Sequence, residues 1–150
     1  MIEKRIDSSS VLAEQKSNTA QKRRTLQRMR EHAHQLQTLM GNGQLNPVRF
    51  GRILDESWHL KRRLASTITT NQIDTWYSLA MEAGAEGGKL CGAGGGGFLL
   101  FIVKPKHQNA VRKTLGSLTE VAIGYEVHGS QVLLPFISPF AIEKIKSVIS

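Results

Sequence analysis

The sequence is poor in cysteine, in aromatic residues and in long apolar runs. Its only cysteine among 150 residues is Cys91, so no disulfide forms within the chain and a disulfide-stapled secreted scaffold is excluded. The longest apolar run, Phe98 to Val103, has the length of a β-strand and falls far short of the roughly 20 residues of a membrane span. Because Met1 to Arg5 also carries no apolar signal region, we expect a cytoplasmic protein that does not contact a membrane.

Acidic residues are scarce relative to basic ones. Twelve Asp and Glu stand against twenty Lys and Arg, which gives a formal net charge of +8. Such a balance suits anionic partners, namely nucleic acids, phosphorylated metabolites or acidic protein surfaces. The hydrophobic fraction of 40% is ordinary for a globular protein. A domain of this length buries about two-thirds of its unfolded surface, which is enough for a core.

The first half of the chain shows helical periodicity. Pro47 suits the first turn of a second helix, which we predict from about Asn46 to Leu64. Trp58 lies on the apolar face of that helix, and we assign it to the core rather than to sugar stacking. A third helix is predicted to begin near Asn71, interpreted as its N-cap. The first helix ends at Gly41-Asn42-Gly43, and its apolar stripe recurs every three or four residues at Leu26, Met29, Ala33, Leu36 and Met40.

The second half changes to strand periodicity. Phe98 to Val103 is continuously apolar and predicts a central strand that is buried under helices. A helix is predicted from about Lys106 to Leu115, followed by strands at Glu120–Val127 and Gln131–Leu134 and by a terminal helix at Phe140–Ile149. Helices followed by a small antiparallel sheet indicate an α+β fold.

A glycine cluster between Gly87 and Gly97 holds seven of the fourteen glycines. One interpretation is a flexible linker, but the cluster has no serine and directly precedes the most hydrophobic strand. Glycines in that place permit a positive φ and a close approach of the backbone to another group. We therefore interpret the cluster as a glycine-lined turn that faces an anion or packs beside a phosphate-binding segment.

Two common phosphate motifs do not fit this cluster. A P-loop requires Ser or Thr after its lysine, whereas Leu90 follows Lys89. The pattern G-x-G-x-x-G is present at Gly92, Gly94 and Gly97. Dinucleotide binding needs a strand before that pattern and a helix after it, and the predicted order in this chain is helix and then strand. Neither a P-loop nor a Rossmann site is predicted.

The segment from Gly88 to Phe98, GKLCGAGGGGF, resembles the third conserved motif of the GHMP kinases, K-x-x-G-A-G-x-G-G. Within that family, the stretch from Asp55 to Leu64 together with Ile73-Asp74 is most similar to the D-glycero-D-manno-heptose 7-phosphate kinase branch. The resemblance runs from about Ile6 to Leu134. It implies the family's C-terminal α+β domain over residues 1–134, ferredoxin-like with a small antiparallel sheet and added helices, and a C-terminal extension over residues 135–150.

The chain departs from the family in its N-terminal part. A complete GHMP kinase carries a P-x-x-x-G-L-G-S-S-A loop that holds the ATP phosphates, and this sequence has none: Ser8-Ser9-Ser10 leads into Val11 without a glycine loop. The chain therefore resembles the C-terminal half of such a kinase. We expect a fragment, a truncated gene product or one piece of a split enzyme with a separate N-terminal half, and these alternatives stay open.

The resemblance also implies a reaction and a set of site residues. The complete enzyme is expected to transfer the γ-phosphoryl group of ATP, with Mg²⁺, to the anomeric hydroxyl of a heptose 7-phosphate, in the synthesis of nucleotide-activated heptose for lipopolysaccharide or capsule. The isolated chain is expected to be inactive. Lys61 and Arg62 are candidates for sugar-phosphate binding, with a solvated helix end as the alternative. Support of the phosphate loop is assigned to Lys89, Gly92, Ala93, Gly94, Gly95, Gly96 and Gly97.

Two further functional classes compete with the kinase. A small basic nucleic-acid-binding module agrees with the charge of +8 and with the basic clusters Lys22–Arg24 and Lys61–Arg63. It is disfavoured because no aromatic pair of the RNP type lies on the predicted strands and aromatic residues make up only 6% of the chain. A non-catalytic ligand-binding remnant of a kinase is the other alternative. No catalytic residue and no metal ligand set is assigned, since the five histidines show no ligand spacing with Cys91.

Overall fold

The computed structural model describes residues 8–18 and 22–124. The chain divides into two compact units, Met1–Thr119 and Glu120–Ser150, and the described helices and strands belong to the first unit. In chain order they are α1 (Ser8–Asn18), α2 (Arg23–Gly41), α3 (Pro47–Arg62), α4 (Asn71–Glu82), β1 (Ala85–Cys91), β2 (Phe98–Val103) and α5 (Pro105–Thr114). None of the helices in this part of the chain combines the length and apolarity that crossing a bilayer demands.

The starts of α3 and α4 follow from their N-terminal caps. The start of α3 agrees with the prediction: Pro47 is in its first turn, and Asn46 caps it, because the Asn46 side chain accepts a hydrogen bond from the Arg49 amide at 3.0 Å. The prediction that Asn71 caps α4 is wrong. The cap is Thr70, whose backbone is extended and whose hydroxyl oxygen accepts from the Ile73 amide at 3.2 Å. Both residue types cap helices well, so the cap position differs from the prediction by a single residue.

The sheet contains a strand that the sequence pattern did not predict. β1 pairs antiparallel with β2, with Leu90 opposite Leu99 and Cys91 opposite Phe98. Its sequence, AEGGKLC, is rich in glycine, which normally weakens a strand. The order is therefore helix, strand, turn and strand, rather than helix and strand. Since a strand and not a helix follows the turn, the exclusion of a dinucleotide site stands.

The predicted strand Phe98–Val103 forms, but its burial differs from the prediction. Within the described residues β2 pairs with β1 alone, its residues are at most half-buried, and Phe98 is 66% exposed. The helices pack more extensively on β1 than on β2, which accounts for the difference. Residues 120–124 form no strand, and the remainder of the predicted strand at Glu120–Val127 lies outside the described residues. The predicted strand Gln131–Leu134, the terminal helix and the extension 135–150 also lie outside them.

The main core lies where α1, α3 and α4 meet the inner face of β1. Trp58 is 1% exposed at its centre, which agrees with its assignment to the core. Burying such aromatic side chains removes a large apolar area from water and dominates core energetics. The buried members of this cluster are Val11, Trp58, Leu64, Ala65, Ile68, Ile73, Tyr77 and Leu90. A smaller cluster of Ala80, Ala85 and Val111 joins α4 and β1 to α5.

Two glycines bring β1 directly against α3. A Cβ atom built on Gly87, whose φ is +154°, overlaps the backbone carbonyl of Gly51. A Cβ atom on Gly51 lies 2.5 Å from the carbonyl carbon of Glu86. The helix and the strand therefore meet backbone to backbone, which only glycine permits. This contact fixes the start of β1 against α3, and with it the direction in which the strand runs to the glycine-rich turn.

Candidate functional site

The turn between β1 and β2 is built from Gly92 to Gly97, and we call it the glycine hairpin. Four of its glycines have a positive φ: 122° at Gly92, 133° at Gly94, 70° at Gly95 and 127° at Gly97. Residues with a Cβ atom rarely adopt such angles, so the backbone course of the hairpin depends on glycine. The hairpin is thus a shaped turn between two paired strands and not a linker.

The inner side of the hairpin is attached to the loop between α3 and α4. The Gly95 amide donates a hydrogen bond to the carbonyl oxygen of Ile68 at 2.9 Å. A Cβ atom on Gly94 lies 2.7 Å from the Cα atom of Ile68 and 3.2 Å from a side-chain methyl carbon of Val11. Packing inside the chain therefore explains the glycine at position 94, and the φ of 70° explains the glycine at position 95. The Gly95 amide is already used and is not a free donor for an anion.

The outer side of the hairpin is open. A Cβ atom on Gly96 meets nothing within 4 Å, and one on Gly92 meets only the Gly96 carbonyl oxygen at 3.5 Å. Both residues are exposed. Nothing in the described residues requires glycine at position 96, whose φ is not positive. This edge has room for a ligand or for another backbone at van der Waals distance.

Lys61, at the end of α3, holds the hairpin at its base. Its Nζ donates a hydrogen bond to the Gly92 carbonyl oxygen at 2.6 Å. Burial lowers the pKa of the Lys61 ammonium, and the positive charge of Lys89 lowers it further, whereas Cys91 acts in the opposite direction. The fold thus brings together three residues of the predicted site, namely Lys61, Lys89 and Gly92.

Arg62 points to a different place from Lys61. Its guanidinium forms an ion pair with Asp74 at 2.6 Å, and the Thr69 hydroxyl donates to the other oxygen of that carboxylate, also at 2.6 Å. The three side chains are half-buried and join the end of α3 to the first turn of α4. This geometry gives Arg62 a structural role. Its role in binding a sugar phosphate stays a prediction.

A buried tyrosine ties β1 to α3 and was not identified from the sequence. The Tyr77 hydroxyl donates to Oδ1 of Asp55 at 2.7 Å and accepts from the Gly88 amide at 3.2 Å. Burial, together with the Asp55 carboxylate, raises the pKa of the Tyr77 hydroxyl, which therefore stays protonated. The sequence did contain a signal for this contact: Tyr77 lies on the apolar stripe of the predicted helix, and a buried tyrosine hydroxyl needs a polar partner.

A cleft of 360 Å³ lies between α2 and α3, and none of the predicted site residues lines it. His32 is buried in it: its Nδ1 lies 2.7 Å from the Ser57 hydroxyl, and its Nε2 lies 3.2 Å from a Glu56 carboxylate oxygen. The second contact is not aligned as a hydrogen bond. Across residues 8–18 and 22–124, no three His, Cys, Asp or Glu side chains converge to hold a metal ion.

The fold and the glycine hairpin together define a class of protein. The chain is an α+β domain that presents a glycine hairpin with one open edge and two lysines beside it. A family model described as "GHMP kinases C terminal" matches residues 22–118, a range that includes the hairpin. The chain belongs to this family. The resemblance and the fold class predicted from the sequence are thereby confirmed.

Two curated relatives show the extent of the similarity. D-glycero-alpha-D-manno-heptose 7-phosphate kinase of Campylobacter jejuni is 33% identical over 79 residues, which are 50% of this chain and 23% of that protein. Galactokinase of Clostridium acetobutylicum is 35% identical over 78 residues, which are 51% of this chain and 20% of that protein. The chain is therefore homologous to sugar kinases and spans about a quarter or less of the relatives it matches.

The fold is shared with a further kinase. The crystal structure of L. major mevalonate kinase in complex with R-mevalonate matches with a TM-score of 0.62 and 18% identity. The match covers 75% of this chain and 35% of that one. At this identity the likeness establishes the fold and not the acceptor.

Proposed function

We propose that the chain supplies the C-terminal part of an ATP-dependent sugar kinase, whose acceptor is a heptose 7-phosphate phosphorylated at its anomeric hydroxyl. The observation that carries the proposal is the open outer edge of the glycine hairpin, at Gly92 and Gly96, beside the ammonium groups of Lys61 and Lys89. The similarity to the Campylobacter heptose 7-phosphate kinase supports this choice of acceptor, and the galactokinase match keeps a neutral sugar as the competing acceptor.

The residues of the chain contribute positioning and charge rather than covalent chemistry. Phosphoryl transfer depends mostly on alignment of the reactants and on neutralisation of the phosphoryl charge. The open edge lets the phosphate-binding loop of an N-terminal half, or a phosphate itself, approach the hairpin backbone. Lys61 holds this edge in place through the Gly92 carbonyl, and Lys89 adds positive charge next to it.

ATP and Mg²⁺ are assigned to the complete enzyme. When bound, they supply the phosphoryl group and the metal charge that neutralises it. The described residues fit the approach of a phosphate at the hairpin, but they contain no group of carboxylates and histidines for a metal ion. We therefore assign no Mg²⁺ ligand among these residues. In this proposal the isolated chain is inactive and acts together with an N-terminal half, in the cytoplasm, in the synthesis of nucleotide-activated heptose for lipopolysaccharide or capsule.

A chimera tests the proposal directly. Residues 22–118 replace the matching segment of the Campylobacter heptose 7-phosphate kinase, and ATP-dependent phosphorylation is measured with heptose 7-phosphate and with galactose. We expect turnover of heptose 7-phosphate well above that of galactose, and no turnover by the 150-residue chain alone. A folded chimera without activity, or turnover by the isolated chain, would contradict the proposal.

Two valine variants of the chimera test the hairpin. Gly96→Val projects into the open edge, whereas Gly41→Val projects into open solvent at the end of α2; neither added Cβ atom meets anything within 4 Å and neither φ is positive. We expect Gly96→Val to lower the rate by about a hundredfold, because misplaced reactants lose alignment, while Gly41→Val leaves it unchanged. Thermal midpoints of both variants are the control for folding. Equal rates in both variants would show that the hairpin is not part of the active site.

A further inference from the structure

The cleft between α2 and α3 has the size of a ligand site. Its volume of 360 Å³ falls in the range of about 300–1,000 Å³ that small-molecule sites in proteins occupy. Apart from one leucine, every side chain that lines it is able to form hydrogen bonds. Two of these carry guanidinium groups, two carboxylates and two imidazoles, so the formal charges balance when the imidazoles are neutral. The lining residues are Arg28, His32, Asp55, Glu56, His59, Leu60 and Arg63.

The opposite charges of the cleft do not neutralise each other. Within the described residues, the guanidinium nitrogens of Arg28 and Arg63 lie more than 4.0 Å from every carboxylate oxygen of the cleft. Arg28 pairs instead with Glu31, and the Arg63 side chain makes no hydrogen bond or ion pair in this part of the chain. The fold thus holds donors and acceptors on the walls of one cleft and leaves space between them.

His59 and Asp55 offer acceptors to this space. The His59 Nδ1 atom lies 2.9 Å from the Asp55 carbonyl oxygen, and because a carbonyl oxygen only accepts, Nδ1 carries the proton. In the neutral imidazole Nε2 therefore has the lone pair. The Asp55 carboxylate accepts from the Tyr77 hydroxyl at Oδ1, and its Oδ2 makes no hydrogen bond within residues 8–18 and 22–124.

The exposed groups of an open cleft are hydrated, so the informative group is the buried one. His32 is 2% exposed, and its Nδ1 lies 2.7 Å from the Ser57 hydroxyl. Its Nε2 has no aligned hydrogen bond in the described part of the chain, although a carboxylate oxygen of the half-exposed Glu56 lies 3.2 Å away. We place the proton on Nε2, next to this carboxylate, so that the Ser57 hydroxyl donates to Nδ1. A buried polar atom without a hydrogen bond is destabilising and requires a partner.

The chemistry of the lining selects a class of ligand. A metal ion is disfavoured, because the guanidinium groups repel it and no three ligating side chains converge in the described residues. A phosphate or another dianion is disfavoured by the two carboxylates. A free amino acid pairs with one carboxylate and one guanidinium group and leaves the other charged groups unmatched. A hydroxyl group both donates and accepts, so a ring with several hydroxyls matches all of these groups, and Leu60 lies against its C–H surface.

We propose that the cleft between α2 and α3 binds the hydroxyl groups of a sugar ring. Rotation of the half-exposed Glu56 side chain opens His32 Nε2, and one hydroxyl then accepts from Nε2 and donates to Glu56. Asp55 and His59 accept from further hydroxyls, and Arg63 donates to one. The inference goes beyond the proposed function, because it uses none of the hairpin residues and requires no phosphoryl transfer. The ring belongs either to the kinase acceptor or to a second sugar that is not phosphorylated, and both present the same hydroxyl chemistry.

Histidine side-chain NMR of the 150-residue chain tests the site without catalysis. Spectra that correlate the ring protons and nitrogens of His32 and His59 are recorded while galactose, a neutral heptose, inorganic phosphate and glycine as a free amino acid are added separately. We expect saturable shifts of both histidines with at least one of the two sugars, and none with phosphate or glycine. Shifts with phosphate or glycine alone would overturn the assignment to a sugar, and no shift with any of the four probes would overturn the site.

Two glutamine variants distinguish the cleft from general charge. Glu56→Gln and Glu82→Gln each remove one carboxylate charge with little change of shape, and Glu82, exposed at the end of α4, does not line the cleft. We expect Glu56→Gln to weaken sugar binding by about tenfold, because hydrogen bonds to charged acceptors are stronger, and Glu82→Gln to leave it unchanged. Equal affinities in the two folded variants would overturn the site. If Glu56→Gln does not fold, Arg63→Gln gives the same test, since the Arg63 side chain makes no contact of its own in the described residues.

The chimera distinguishes the two sources of the sugar, since residues 22–118 include the whole cleft. A raised KM for heptose 7-phosphate in Glu56→Gln, with kcat unchanged, would support the cleft as the site of the acceptor ring. An unchanged KM, with weakened sugar binding by the 150-residue chain, would support a second sugar. Sugar binding by the chain together with an inactive chimera would retain the cleft and reject the kinase. An active chimera, with histidine signals that respond to no sugar, would retain the kinase and reject the cleft.

Discussion

The two ends of β1 use glycine for different reasons. At its start, Gly87 and Gly88 are buried, and their neighbours are the Gly51 backbone, the Tyr77 hydroxyl and the Phe101 ring. After its end, the glycine hairpin has one side attached to Ile68 and one side open.

This contrast shows that the glycine motif is not a single functional unit. Where a backbone or side chain of the same protein fills the space in front of a glycine, the glycine serves packing. Where the space is empty, as at Gly96, the protein alone does not account for the residue. Substitutions at the packed positions should therefore affect stability, and substitutions at the open position should affect binding or catalysis.

The largest effect is expected at the start of the strand. Gly87→Ala places a Cβ atom onto the Gly51 carbonyl and imposes a side chain on a backbone with φ of +154°. Because backbone and not a flexible side chain obstructs the new atom, we expect a loss of about 3 kcal/mol or more in the free energy of unfolding, measured by urea denaturation. Gly41→Ala, in open space, is the control and should not destabilise the protein. A Gly87→Ala variant as stable as wild type would show that α3 and β1 are not in backbone contact.

The second-largest effect is a difference in stability between variants at two positions of the hairpin. Gly94→Ala brings a Cβ atom to 2.7 Å from the Ile68 Cα atom at a positive φ, whereas Gly96→Ala meets nothing. We expect Gly94→Ala to cost about 2 kcal/mol and Gly96→Ala less than about 0.5 kcal/mol, both by urea denaturation. Equal costs at the two positions would abolish the distinction between the attached and the open side.

Tyr77→Phe tests how the start of β1 is held. The change removes the donor to Asp55 and the acceptor for the Gly88 amide, at an expected cost of about 1–2 kcal/mol. The pKa of Tyr77 is raised in the folded state, so its contribution is complete below the ordinary tyrosine pKa of about 10 and is lost as the pH rises above it. The wild-type protein should lose stability above about pH 10 more steeply than Tyr77→Phe. Parallel curves for the two proteins would contradict this assignment.

The smallest effect is expected where the loop between α3 and α4, to which the hairpin is attached, contacts Glu14 of α1. The Ser66 amide donates to Oε1 of Glu14 at 2.8 Å, which lowers the pKa of that carboxyl group, and the hydroxyl groups of Ser66 and Thr67 add weaker contacts. A lowered pKa contributes stability above the ordinary value, and this contribution is lost as the pH falls through the folded value. In Glu14→Gln the urea midpoint should therefore decline less steeply below about pH 4.5 than in the wild-type protein. This difference should be smaller than the difference in stability that Tyr77→Phe makes above about pH 10. An unchanged acid decline would remove Glu14 from the contacts that hold this loop.

Local patterns predicted α2, α3, α4 and α5 but not α1. The helix predicted from Leu26 to the stop at Gly41 is α2, and Asn46 with Pro47 marks the start of α3. These signals succeed because helix periodicity and capping depend on residues within a few positions of one another. The predicted apolar stripe is only partly correct, because Met40 is 66% exposed and the buried residue of α2 is His32. The assignment of the cap of α4 to Asn71 failed because Thr70, one residue earlier, is also a good cap residue and holds that position.

The strand β1 and the site contacts could not be predicted in this way. β1 is a strand because β2 pairs with it and because Gly51 admits its backbone, and both partners come from other elements of the fold. The partner of Arg62 is Asp74 and the partner of Lys61 is Gly92, across spans of 12 and 31 residues. Lys61 and Arg62 look equivalent in the sequence because both are basic and adjacent. Their different partners depend on the direction in which each side chain leaves the end of α3.

The sequence by itself determined the family, the α+β class and the presence of a shaped glycine turn, because each of these depends on short patterns of residue type and spacing. The tertiary structure alone decided which glycines are packed and which are open. It also decided that Lys61 and not Arg62 contacts the glycine hairpin, and that Tyr77 holds β1 to α3. These facts depend on which residues meet across the fold. A side chain's neighbours in space, rather than in sequence, set its burial, its hydrogen bonds and its charge environment.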